Sequence, residues 1–132
     1  MQNAKQQAYW KWRHDMAEAI ARRMDMRRFG VKALYLIGSV KTGQVGPCSD
    51  IDLLAHCDGD AGKQEQLTLW CEGWGSSLSA INEAKTRLKT PGSLIDLHII
   101  TDEDIRQKTS FASMIGAHSN SARLLRKDAQ NE

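Results

Sequence analysis

Proline is scarce in this chain, 2 in 132 residues, and glycine stops at 10, which excludes collagen-like repeats and Pro/Gly-rich low-complexity tracts. No apolar run extends beyond Ala33–Ile37 and the Gly38 that follows it. That is far short of the ~20 residues needed to span a bilayer, so no membrane anchor is expected. The three cysteines, Cys48, Cys57 and Cys71, are odd in number and share no metal-type spacing, which argues against a disulfide scaffold or a zinc knuckle. The opening MQNAKQQAYWKWRHD lacks the apolar core of a signal peptide, and a reducing cytoplasm is the expected compartment. A strong charge of either sign is missing as well. Eighteen Lys and Arg against sixteen Asp and Glu leave +2, too little to make nucleic acid a required partner.

What remains is the composition of a soluble globular domain with one core. From Gln6 to Arg28, residues Tyr9, Trp12, Met16, Ile20 and Met24 recur at helical steps, and Phe29-Gly30 ends the pattern. Lys11, Arg13, Arg22, Arg23, Arg27 and Arg28 fall on the other side of that helix, where a solvated face is the ordinary meaning. An RNA-binding role using Trp10, Trp12 and these arginines is the weaker reading, because the tryptophans also lie where a helix needs its core. Val31–Ile37, Ile51–His56 and Leu94–Ile100 read as strands. A long helix from Gln64 to about Leu88 carries Leu67, Trp70, Trp74, Leu78 and Ile81 on one stripe, and Thr101 followed by Asp102, Glu103 and Asp104 reads as an N-cap with an acidic first turn. The expected fold is therefore α/β, a small mixed sheet packed with helices. Residues 1–118 are expected to form a single domain and 119–132 a polar C-terminal tail.

Two signals near Gly38 fail. Gly38 and Gly43 have P-loop spacing, but Gln44 stands where the phosphate-binding lysine is required. Lys41-Thr42-Gly43 matches a triplet of penicillin-binding enzymes, yet no Ser-x-x-Lys or Ser-Asp-Asn accompanies it. The stretch that carries chemistry is Gly38-Ser39, ten residues later Asp50-Ile51-Asp52-Leu53, and then Asp96 inside an apolar strand. Strand residues two apart share a face, so Asp50 and Asp52 pair their carboxylates on one side. Two acids on a buried strand lose hydration worth several kcal/mol unless a cation compensates, and Mg²⁺ is the hard, oxygen-preferring candidate. If Asp96 joins them, three carboxylates converge and have the makings of a two-metal site with ions ~4 Å apart. His98 shares Asp96's face, but a lone histidine reads first as a hydrogen-bonded structural residue. Gly38-Ser39, in a short turn closed by Gly43, would aim backbone N–H groups at a phosphate.

Gly38-Ser39, the spacer with Gly43, Ser49-Asp50-Ile51-Asp52-Leu53 and the later Asp96 together resemble the nucleotidyltransferase superfamily that includes DNA polymerase beta, in its minimal nucleotidyltransferase branch. The resemblance spans roughly residues 31 to 100, about half the chain. It implies a nucleotidyltransferase-like fold and an enzyme that moves a nucleoside monophosphate from an NTP, ATP among them, to an acceptor hydroxyl with release of pyrophosphate. It implies metal and catalytic roles for Asp50, Asp52 and Asp96 with two Mg²⁺ ions, and nucleotide binding by Gly38, Ser39, Lys41 and Ser49. Many minimal members carry an arginine three positions beyond the serine; this chain has Thr42, with Lys41 as the substitute phosphate contact. The acceptor is not specified, and a homodimer or a separate partner protein is expected to complete the cleft of so short a chain. The alternative is a non-catalytic module of the same fold, a nucleotide-sensing or antitoxin-like partner-binding protein.

Overall fold

A computed structural model of the chain describes residues 4–90, 92–117 and 121–128. Its elements run α1 (Ala4–Arg23), β1 (Val31–Ile37), α2 (Gly38–Thr42), β2 (Ile51–Cys57), α3 (Ala61–Thr86), β3 (Ile95–Thr101), α4 (Asp102–Gln107), a 3-10 turn (Ala112–Met114) and β4 (Arg123–Lys127). The sheet has the order β3-β2-β1-β4. β1 is antiparallel to both β2 and β4, whereas β2 and β3 are parallel and joined by the α3 crossover that parallel pairing requires. The fold is thus mixed α/β, as the alternation of patterns indicates. No helix among the described residues is long and apolar enough to cross a membrane. All three cysteines are free thiols, and Cys57 and Cys71 are buried.

One sheet face holds the main core. Leu34, Leu36, Ile51, Leu53, Ala55 and Cys57 pack with Ala17 and Ile20 of α1 and with Leu67, Cys71 and Leu78 of α3. The buried stripe of α3 runs Leu67, Cys71, Gly75, Leu78 and Asn82, one position away from the expected tryptophans. The cause is the close approach of helix and strand. A Cβ on Gly75 would overlap the Ser93 side chain, so the smallest residues face the sheet, Trp70 and Trp74 flank them, and Ile81 is left exposed. α1 stops at Arg23 rather than Arg28, because the chain turns through residues 26–30 and the Val31 amide bonds to the Met26 carbonyl at 2.7 Å.

Lys11, Arg22 and Arg23 of α1 are exposed, as are Arg27 and Arg28 in the turn that follows it, but the expectation of a solvated face fails at Arg13, which is fully buried. Residues 121–128, inside the stretch 119–132 expected to be a polar tail, include β4; residues 119–120 and 129–132 of that stretch, and residue 118 before it, lie outside the described residues. The Arg126 guanidinium donates to the carbonyls of Ala21, Arg22 and Met24 at 2.8, 3.2 and 2.9 Å, closing the C-terminus of α1 with a cation. The second sheet face carries a smaller cluster of Ile37, Leu54, Ile100 and Ala112. Beside that cluster the polar side chains of β2 and β3 open to solvent.

Candidate active site

The parallel register of β2 and β3 sets Asp52 directly opposite Asp96 and Leu54 opposite His98. With neighbouring strands ~4.8 Å apart, side chains of one face and one register level cannot avoid each other. Asp52 is half-buried and Asp96 exposed. His98, one pleat further along β3, places Nε2 3.4 Å from Asp96 Oδ2 and 3.9 Å from Asp52 Oδ1. One ligand atom from each of Asp52, Asp96 and His98 fits within 4.8 Å of the others. Donors this close, two carboxylate oxygens and an imidazole nitrogen, suit a divalent cation with bonds of about 2.1 Å. The imidazole is held by Phe111, stacked on it at a centroid distance of 4.2 Å and an interplanar angle of 24°.

Asp50 stands one residue before β2 on the loop side, exposed, and is not part of this three-residue group. It still feels the site: burial and then the Asp96 charge raise its pKa, and Arg13 opposes the shift. Asp52 is perturbed more, its pKa pushed up to about 6 by burial first, then by Asp96 and Asp50, with His98 acting in the other direction. A carboxyl that resists ionisation between two other acids is ready to exchange a proton for a metal ion.

α2 roofs Asp52. Ile37, the last residue of β1, is registered against Asp52, and the chain turns into α2 at Gly38 with φ +73. A Cβ on Gly38 would overlap the Asp52 carboxylate, so glycine here serves both the left-handed backbone and the closeness of turn to acid. Ser39 lies in the first turn of α2, and Gly43, in left-handed conformation, closes it by donating to the Ser39 carbonyl at 2.9 Å. The Trp10 indole donates to the Val40 carbonyl at 2.8 Å, fixing α2 to α1. Lys41 and Ser49 are placed differently from simple phosphate contacts. Lys41 Nζ donates to the Ser121 carbonyl at 2.6 Å, and the Ser49 hydroxyl accepts from the Gly46 amide at 2.8 Å.

Arg13, expected on a solvated face, and Asn82, for which the sequence carried no assignment, organise the loop leading to Asp50. Arg13 donates through Nε to the Ser49 carbonyl at 2.8 Å, and through Nη2 to both the Pro47 carbonyl at 3.1 Å and Asn82 Oδ1 at 3.0 Å. Asn82, also buried, donates to the same Pro47 carbonyl at 2.8 Å. A helical step of four carries Tyr9 to Arg13 to Ala17, and the same step carries Leu78 to Asn82, so periodicity alone places both polar residues on buried stripes.

A roofed pair of acids at the seam of a mixed sheet, next to a glycine turn, marks an α/β domain with a candidate cation-binding cleft. Comparison with known families makes this specific: the nucleotidyltransferase domain family matches residues 17–124, and the chain belongs to that family. Its chemistry is nucleotidyl transfer and its substrate class a nucleotide. Among solved structures, the chain is similar to a Sulfolobus solfataricus protein assigned provisionally as a nucleotidyltransferase, at 15% identity, covering 81% of this chain and 84% of that one, with a TM-score of 0.45. No curated protein matches the chain significantly.

Proposed function

We propose that this protein transfers a nucleoside monophosphate from an NTP, with ATP as the first candidate, to an acceptor hydroxyl and releases pyrophosphate. The observation that carries this reading is the registered pair Asp52 and Asp96 beneath the Gly38 turn. Asp50, Asp52 and Asp96 would hold two divalent ions, Mg²⁺ being the expected occupant of an oxygen-only position. Such ions, when bound, neutralise the charge that builds on the transferred phosphoryl group.

The protein's own residues then do the positioning. Gly38 lets the backbone of α2 come close to the phosphates, with Ser39 in its first turn. Asp52, recessed beneath that turn, fixes where the phosphates lie relative to the sheet. Asp96, the exposed member of the Asp52–Asp96 pair, is the group to take the proton of the incoming hydroxyl. Lys41 would leave Ser121 to meet a triphosphate, and Ser49 would act by shaping the loop before Asp50. The acceptor approaches over the open sheet face, which a second copy of the chain or another protein would wall off.

One observation favours the second reading, a nucleotide-sensing or antitoxin-like module: Thr42 stands at the position of the arginine found in many minimal members, and the neighbouring Lys41 is engaged by backbone. Incubation with labelled ATP, CTP, GTP and UTP, divalent ions and cell extract separates the two. A labelled product that disappears in Asp52→Asn supports transfer; ion-dependent nucleotide binding without product supports the sensing module.

A further inference from the structure

The second face of the sheet holds two histidines beside aspartates, and their contacts differ in kind. His56 Nε2 lies 2.6 Å from Asp102 Oδ1, while Lys32 Nζ takes the other oxygen of that carboxylate at 2.7 Å. These are the lengths of charge-assisted hydrogen bonds, and the carboxylate is fully used. His98, by contrast, stands back from both of its acids, 3.4 Å from Asp96 and 3.9 Å from Asp52, so it is seated on neither. Donor atoms on neighbouring corners of a tetrahedron or octahedron with bonds of about 2.1 Å are themselves about 3.0 to 3.5 Å apart. The 3.4 Å spacing of His98 and Asp96 matches such an edge better than it matches a hydrogen bond, and the 3.9 Å to Asp52 is wider than an edge, a gap that a small side-chain movement would close around an ion. Phe111, stacked on the ring, orients the imidazole in that stance.

We propose that His98 is a nitrogen ligand to the ion shared by Asp52 and Asp96, and that this position selects a first-row transition dication such as Mn²⁺ or Co²⁺ over Mg²⁺. The inference deepens the transfer reading of the same site. Its chemistry is that of the donor set: Mg²⁺ asks for oxygen ligands and retains its waters, whereas an imidazole beside two carboxylates favours ions that accept nitrogen as readily as oxygen. Asp50 lies outside the Asp52–Asp96–His98 group, so an ion held on its side would meet oxygen donors alone. The two positions are therefore unlike, one mixed and one suited to Mg²⁺ together with phosphate oxygens.

The test uses the full chain and metal ions alone as probes. Wild-type protein labelled with ¹⁵N-histidine and loaded with Mn²⁺ should show, by pulsed electron paramagnetic resonance, coupling to a single imidazole nitrogen. In His98→Gln that coupling should vanish, and Co²⁺ affinity measured by calorimetry should fall about tenfold or more while Mg²⁺ affinity changes little, as expected for loss of a metal-orienting or metal-bound imidazole. Equal loss of Co²⁺ and Mg²⁺ in His98→Gln, or no nitrogen coupling in the wild type, overturns the proposal. The wild-type spectrum decides by itself should His98→Gln fail to fold. Nitrogen coupling without any transferase product would uphold His98 as a ligand and remove the transfer reading. Retention of transfer without nitrogen coupling would do the reverse.

Discussion

Asp52 bears the sharpest physical conflict in the molecule. Its carboxyl, with a pKa near 6 against an ordinary 3.8, holds its proton longer in the folded protein than in the unfolded chain. Between those values the native state binds more protons, so the stability Asp52 contributes is present below about pH 4 and lost as pH rises through 6. Metal-free Asp52→Asn should therefore melt above the wild type at about pH 8, with the gap closing toward pH 4, where both side chains are neutral. Thermal scans in chelator at the two pH values check this; a gap independent of pH would place the strain elsewhere. Gly38→Ala should be harmful by two routes, about 1–2 kcal/mol for a side chain in the left-handed region and a further cost from displacing Asp52. Urea unfolding together with divalent-ion titration should show both stability and ion affinity reduced. The residues of this site were legible because Gly38, Asp50, Asp52 and Asp96 break an apolar pattern at fixed spacing. His98 was visible on Asp96's face, but its nearness to Asp52 depends on strand register, which no local pattern specifies.

At the scale of elements, α1 and α3 are linked by polar groups that a hydrophobic pattern hides. Arg13 is pressed into the core with its charge spent on loop carbonyls and on Asn82, and desolvation lowers its pKa. Arg13→Met leaves the Asn82 side-chain oxygen and the Ser49 carbonyl without the Arg13 donor and the Pro47 carbonyl with Asn82 alone, and should cost about 3 kcal/mol in chemical denaturation. Arg13→Lys should recover little of that loss, because a single ammonium cannot reproduce the planar fork that spans Ser49, Pro47 and Asn82. An Arg13→Lys protein as stable as the wild type would show that the charge matters and the fork does not. The three strand cores, Val31–Ile37, Ile51–His56 and Leu94–Ile100, were readable to within a residue because buried strands are continuous apolar runs. β4 was not. Its Arg123-Leu124-Leu125-Arg126-Lys127 has the charges of an edge strand, and its place is decided by pairing with a β1 that lies about ninety residues earlier.

Across the whole molecule, that last strand does more than complete the sheet. Arg126→Ala should fray α1 from its C-terminal end and lower stability by about 1 kcal/mol, the usual worth of a cation at a helix C-terminus. Amide exchange should show the loss concentrated around residues 20–24, and uniform loss along the chain would contradict the capping role. The sheet's two faces divide the labour: α1 and α3 cover most of one, leaving Leu97, Ile99 and Leu125 partly buried, while the acids and His98 occupy the other, where covering is slighter. The parallel pairing of β2 with β3 also has a meaning in time. As the chain is synthesised, β1 and β2 can form their hairpin and α3 can lie across it while Asp52 still has no carboxylate opposite. Only when residues 95–101 arrive and dock in register does the charged seam come into being, so a nascent chain lacks the opposed Asp52–Asp96 carboxylates until its third strand is in place.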